Sequence, residues 1–181
     1  MNILFLGAPG SGKSTIGQTL AQEMGWEWIS TGEILRQSTE PWVVDRLKTG
    51  QLFDDEMVMG LAIPRIESSQ NTIYDGFPRT VRQAEMLVEK GLQPDLMIEV
   101  NVPLEEIFER LALRGREQDT PEIIEQRYNM HEDTKNEIMA YLVGHGVKVA
   151  VIDGVGTPEE VYARAKAEVM KMVDGDGGVS A

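Results

Sequence analysis

The feature that most limits how this chain can fold stands near its amino terminus: Gly7-Ala8-Pro9-Gly10-Ser11-Gly12-Lys13-Ser14-Thr15, which fits the spacing G-x-x-x-x-G-K-[ST]. The apolar run 3–6 before it reads as a buried strand, and 13–24 after it as an amphipathic helix. In such a strand–loop–helix, glycines let backbone N–H groups turn inward around an anion, and the helix adds its positive N-terminus. Lys13 reaches the outer phosphates, and Ser14 is placed to ligate Mg²⁺. A chance match in a chain of this length is on the order of 1% from residue frequencies. Gly10, Ser11, Gly12, Lys13, Ser14 and Thr15 therefore predict a bound polyphosphate.

Beyond the loop, short apolar runs alternate with longer amphipathic ones. Strands are expected over 3–6, 28–30, 72–74, 96–101 and 147–152, and helices over 13–24, 55–68, 81–90, 104–113, 121–143 and 158–173. Thr80 with Gln83, Thr120 with Pro121, and Thr157 with Pro158 and Glu160 mark helix starts as N-caps or capping boxes. Five strands with helical crossovers give an α/β, three-layer fold of the P-loop nucleoside triphosphate hydrolase kind: a five-stranded parallel sheet with helices on both faces. At 181 residues one core is expected over 1–173. The stretch 174–181, rich in glycine and aspartate, has little to bury and is expected to be a disordered tail.

Charge narrows the partners. Seventeen Lys and Arg against 30 Asp and Glu leave a net charge of −13, a field that repels nucleic acid and anionic lipid. Neither is expected as a partner, and any phosphate must be held locally. The absence of cysteine excludes a disulfide framework, an iron–sulfur cluster, a thiolate zinc site and a cysteine nucleophile. The first residues lack a positive n-region, and no stretch reaches 18 uncharged apolar residues. A cytoplasmic location is expected, with a monomer as the first expectation and a small homo-oligomer as the alternative.

The segments after the loop resemble the adenylate kinase family of nucleoside monophosphate kinases, collinearly over nearly the whole chain. Residues 7–15 are similar to its GxPGxGKST loop and Ser30-Thr31-Gly32-Glu33-Ile34-Leu35-Arg36 to its S-T-G-[DE]-x-L-R acceptor motif. Residues 50–56 resemble G-x-L-V-x-D-E, with Phe53 in place of the usual valine. Tyr74-Asp75-Gly76-Phe77-Pro78-Arg79-Thr80, followed by Gln83, resembles the highly specific D-G-F-P-R-[TN]-x-x-Q. Arg114, Arg116 and Arg127 resemble arginines around and after the lid, and Ile152-Asp153-Gly154 the end of the last strand. The resemblance implies reversible, Mg²⁺-dependent transfer of a phosphoryl group from ATP to AMP, giving two ADP, without zinc. It also implies an acceptor arm over about 31–59 and a truncated lid over about 114–119. A kinase for another monophosphate, and a nucleotide-binding regulator with little transfer activity, stay open as alternatives.

Transfer between two nucleotides needs cations converging on the equatorial oxygens from separate segments. Lys13, Arg36, Arg79, Arg116 and Arg127 are the candidates, with Lys13, Arg79, Arg116 and Arg127 expected to act on the transferred group. The resemblance implies Thr31, Gly32, Arg36, Gln51, Phe53, Gly76, Arg79 and Gln83 on the AMP side. On the ATP side it adds Gly156, and Arg114 as the residue stacked on the base. Asp75, one residue past an expected strand, either helps Ser14 hold Mg²⁺ through water or simply turns the chain before Gly76. Gln83 is either the N3 residue of a capping box or a partner of the acceptor base, roles that cannot both be filled fully. Asp54-Asp55-Glu56 read as acids at a helix start, His131 and His145 as surface or helix-end residues, and Trp26, Trp28 and Trp42 as packing residues.

The chain departs from the family's pattern in its covers. Only five residues lie between Leu113 and Asp119, which excludes a long zinc-type lid, and Gln118-Asp119 stand where the family has two aspartates. The stretch 31–50 is shorter than usual by about a turn and a half. Both covers are expected to be trimmed, so that hydrolysis competes with transfer.

Overall fold

The computed structural model describes residues 1–115 and 119–176. In chain order its elements are β1 (Asn2–Leu6), α1 (Lys13–Met24), β2 (Glu27–Ser30), α2 (Thr31–Arg36), α3 (Pro41–Thr49), α4 (Asp55–Glu67), β3 (Thr72–Asp75), α5 (Val81–Glu89), β4 (Leu96–Asn101), α6 (Leu104–Arg114), α7 (Pro121–Gly144), β5 (Lys148–Asp153) and α8 (Pro158–Asp176). The five strands form one parallel sheet in the order β2-β3-β1-β4-β5.

β1, in the middle, explains the two-sided core. Ile3 and Phe5 enter one apolar layer, and Leu4 and Leu6 the other. A parallel strand covered on both faces must be apolar at every position, which is why 3–6 shows no alternation. α1 and α8 pack on the first face, while α4, α5 and α7 close the second. α6 brings Ile107 and Leu111 beneath the loop that follows β1. After β3 the chain crosses β1 to start β4, and a crevice opens at the carboxyl ends of the strands where the direction of winding changes.

The elements differ from expectation in instructive places. β3 extends through Asp75, so this residue closes the strand instead of following it. β5 runs one residue later than expected at both ends. α8 continues to Asp176, so the expected tail begins no earlier than 177, and residues 177–181 lie outside the described ones. Two helices in the expected acceptor arm, α2 and α3, were not among the expected elements. α2 spans six residues, started by Ser30 Oγ accepting from the Glu33 N–H at 3.3 Å, and α3 buries only Val43. The expected N-caps Thr80, Thr120 and Thr157 all accept from the backbone three residues on. Among the described residues no helix is long and apolar enough to cross a membrane.

Candidate active site

The loop after β1 is shaped by close approach to α6. Gly10 has φ 87°, and a Cβ there would lie 2.9 Å from Leu111 Cγ; only glycine seats the loop this low. Gly12, at φ 89°, is the N-cap of α1 and no side chain caps the helix. The first-turn N–H groups that a helix cannot satisfy internally are thereby left to an anion. Gly10, Gly12, Lys13, Ser14 and Thr15 all line the cleft. Ser11 differs: its side chain is buried beneath the loop and its N–H donates to Ala8 O at 3.1 Å. Lys13 folds across the turn, Nζ donating to the same carbonyl at 3.2 Å.

The cleft holds about 430 Å³, and among the described residues six cations line it: Lys13, Arg36, Arg79, Arg110, Arg114 and Arg127. Among the described residues two acids, Glu33 and Asp75, share the lining. In a chain of net charge −13 this is a local reversal of sign, as phosphate binding requires. The cations also weaken one another. Burial pulls the Lys13 ammonium down to about 8; Asp75 opposes the fall, while Arg79, Arg114 and Arg36 add to it. Arg127 is lowered by burial and then by Arg79, with Asp119 opposing. A polyphosphate entering the cleft would relieve both.

Across the cleft from the loop, β3 delivers Asp75, buried, with no hydrogen-bond partner for Oδ1. Gly76 turns the chain at φ 82°, and the Phe77–Pro78 peptide is cis. The Gly76 carbonyl accepts from Arg79 Nε at 2.7 Å and from Thr31 Oγ1 at 3.1 Å, which ties α2 to this turn. Arg36 is held by Glu33 Oε2 at 2.8 Å, and a Cβ on Gly32 would come within 3.2 Å of Arg36 Nη1. Gln51 and Phe53 complete this wall. The Phe53 ring lies 6.1 Å from Trp42 and 5.8 Å from the Arg46 guanidinium. Trp42, expected to pack, does so against Phe53 at the surface and is 52% exposed. Trp28 lines the cleft with its buried indole N–H unpaired.

Gln83 is buried in the cleft wall. Its backbone N–H donates to Thr80 Oγ1 at 3.1 Å, its Oε1 accepts from the Arg79 N–H at 2.7 Å, and its Nε2 donates to Asp55 Oδ1 at 2.9 Å. An amide has two N–H groups and two acceptor lone pairs. The frame uses one of each, with the side chain taking the Arg79 N–H before the N-cap Thr80, so the amide keeps one N–H and one lone pair beyond its role at the helix start. Asp54 is the N-cap of α4, accepting from the Met57 N–H at 3.1 Å, but Asp55 is committed to the Gln83 frame, beyond the helix-start role given to it.

Toward the α6 end, Arg114 pairs with Asp119 Oδ2 at 2.7 Å. Arg127 donates to Leu47 O at 3.0 Å, joining α7 to the arm. Arg116 lies outside the described residues. Only six residues, 115–120, connect α6 to α7, in keeping with a trimmed lid. Gly156 does not line the cleft; it turns the chain into α8 at φ 124°, beside Glu160. Sequence reasoning missed Arg110, whose guanidinium donates to Glu106 Oε1 and Gly154 O at 2.9 Å each and to Ser11 O at 3.5 Å. It also misplaced His131, which lines a side cavity of about 70 Å³ beside Lys13 and Arg127. Burial, then Lys13, Lys135 and Arg79, pull its imidazole down to about 4. His145 ends α7 as expected.

Among the described residues no three His, Cys, Asp or Glu side chains gather to hold a metal. Ser14 and the unpaired Asp75 carboxylate oxygen fit Mg²⁺, which keeps several waters and takes few protein ligands beside phosphate oxygens.

A parallel sheet of this order, a phosphate loop at its central strand and a second cationic wall across the same cleft define a P-loop protein built to hold two phosphorylated ligands together. The family model described as adenylate kinase matches residues 5–147. An adenylate kinase of Thermus thermophilus is 36% identical over 179 residues, covering 91% of this chain and 95% of its own. One of Parabacteroides distasonis is 36% identical over 186 residues (93% and 97%), and one of Phocaeicola vulgatus 34% over 189 (95% and 100%). The chain belongs to the adenylate kinase family.

Proposed function

We propose that this protein transfers a phosphoryl group reversibly between ATP and AMP, as an ATP:AMP phosphotransferase, and that the residues above divide between two nucleotide subsites. The observation that carries the reading is that Lys13 of the loop and Arg79 of the turn after β3 line one cleft on either side of the buried Asp75, close enough that Asp75 raises both cations and Arg79 lowers Lys13. Two phosphate-binding segments thus meet at one point, which a hydrolase with one nucleotide site does not need.

ATP phosphates lie on the loop N–H groups and on Lys13. Mg²⁺, when bound to ATP beside Ser14 and Asp75, supplies charge neutralisation on the phosphate oxygens. AMP enters between Arg36, Arg79 and the arm, its phosphate on the two guanidinium groups and its base against Phe53 and Gln83. Thr31 and Gly76 set the turn that carries Arg79. Arg127 and Arg114 reach the transferred group from α7 and α6, and Arg116 is assigned with them on the resemblance. Arg110, fixed at all three nitrogens, offers a planar face for the donor base; Arg114, tied toward Asp119 and acting on Lys13, belongs with the phosphates. Gly156, given to the ATP side by the resemblance, shapes the turn into α8.

A coupled assay of ADP formation from Mg·ATP with AMP, CMP, UMP, GMP and dAMP tests this. The proposal expects AMP to be the best acceptor. A different monophosphate preferred over AMP would replace it with another kinase specificity, and no transfer to any of them would leave a nucleotide-binding regulator.

A further inference from the structure

Gln83 stands in the cleft wall with an amide whose two ends are chemically opposite, and its orientation decides which base edge it can read. Each neighbour that touches the amide has a single hydrogen-bonding role. The Arg79 backbone N–H only donates, and it meets Oε1 at 2.7 Å. The Asp55 carboxylate only accepts, and its Oδ1 meets Nε2 at 2.9 Å. Thr80 removes the remaining freedom: its hydroxyl proton goes to Asp55 Oδ1 at 3.0 Å while its lone pair takes the Gln83 N–H at 3.1 Å. A flipped amide would set oxygen against carboxylate and N–H against N–H at a side chain that is itself buried in the cleft wall.

We propose that Asp55 is a positioning residue for acceptor specificity: it locks the Gln83 amide so that the free lone pair and the free N–H present one fixed order to the base. This rests on the reading of Gln83 as the acceptor-base contact. Adenine offers an amino donor beside a ring-nitrogen acceptor. Hypoxanthine has the same shape with the order reversed, a carbonyl acceptor beside an N–H donor. A locked amide matches the first and opposes the second, whereas an amide free to turn accepts both.

The test is the ratio of kcat/KM for AMP to that for IMP. Asp55→Asn keeps the size of the side chain but lets it donate as well as accept, so that only the Arg79 N–H still orders the amide, and the ratio is expected to fall about tenfold, the worth of one hydrogen bond. Asp55→Glu, which restores a carboxylate on a longer arm, is expected to recover part of the preference. In a Gln83→Leu background Asp55→Asn is expected to leave the ratio unchanged, because Asp55 acts only through the amide. If Asp55→Asn does not fold, Asp55→Ser, whose hydroxyl also plays either role, carries the same comparison. Equal losses with AMP and IMP, or an undiminished effect in the Gln83→Leu background, would overturn the proposal and make Asp55 a framework residue. A wild-type protein that does not phosphorylate AMP would instead overturn the function on which it rests.

Discussion

Lys13 sits in the cleft at a cost to the empty protein, and replacing it by an uncharged chain of similar length is expected to separate stability from activity. Burial and three neighbouring arginines bring its ammonium from 10.5 to about 8, which corresponds to a penalty of about 3 kcal/mol on the charged form. Lys13→Met removes that penalty, loses the hydrogen bond to Ala8 O worth about 1 kcal/mol, and forfeits a further part because the side chain is only half-buried and water screens it. The remainder, about 1–2 kcal/mol, should raise the Tm of the nucleotide-free protein at pH 7 by about 3–6 °C. The sign with pH is fixed. The penalty is complete below the folded value of about 8 and disappears by 10.5, where the unfolded lysine also loses its proton, so the gap between variant and wild type should close as pH rises through that window. ADP formation should fall by about 10³-fold or more, as for loss of a cation on the transferred group. Thermal denaturation at pH 7 and pH 9.5, with the coupled assay, reads all three. A Lys13→Met protein less stable than wild type at pH 7, or a gap that widens with pH, would refute the reasoning.

Gly10→Ala forces a side chain into φ 87° and within 2.9 Å of Leu111 Cγ; strain of about 1–2 kcal/mol and overpacking of about 1–3 kcal/mol should lower the urea midpoint clearly, and an unchanged midpoint would show that the loop does not rest on α6. Gln83→Leu should weaken discrimination among monophosphates; if base preference holds and only stability drops by about 1 kcal/mol, Gln83 is a cap. His131→Asn should leave the shape of the rate–pH profile between 5 and 8 unaltered, since an imidazole held at about 4 stays neutral there; loss of a step in that range would contradict its burial. With six residues between α6 and α7, phosphate release without AMP should exceed that of lid-bearing relatives; a ratio as low as theirs at every dilution would show that the short connection excludes water.

What the sequence disclosed follows from where its information is local. The loop 7–15 needs only glycines at set places and a lysine after them, and the strands of a doubly covered sheet announce themselves as unbroken apolar runs. α2 and α3 did not, because six and nine residues make fewer than three turns and bury two side chains and one, too few to set an apolar face apart. Asp55 looked like one of three acids at a helix start; its bonds to Thr80 and Gln83, 25 and 28 residues away, exist only in the folded chain. Arg110 had no motif to single it out, and three partners from α6, the loop and the end of β5 hold it in the cleft. His131 was taken for a surface residue because its spacing suits no metal, whereas α7 turns it toward Lys13.

The central claim, that one cleft holds two adenine nucleotides and passes a phosphoryl group between them in either direction, is tested most directly by supplying Mg²⁺ and ADP alone. The account predicts that ATP and AMP appear in equal amounts in the initial phase, before hydrolysis of the ATP formed, and that the Lys13→Met protein produces neither at a comparable rate. AMP appearing from the outset with an equal amount of inorganic phosphate and with no ATP, or no conversion of ADP at all, would contradict it.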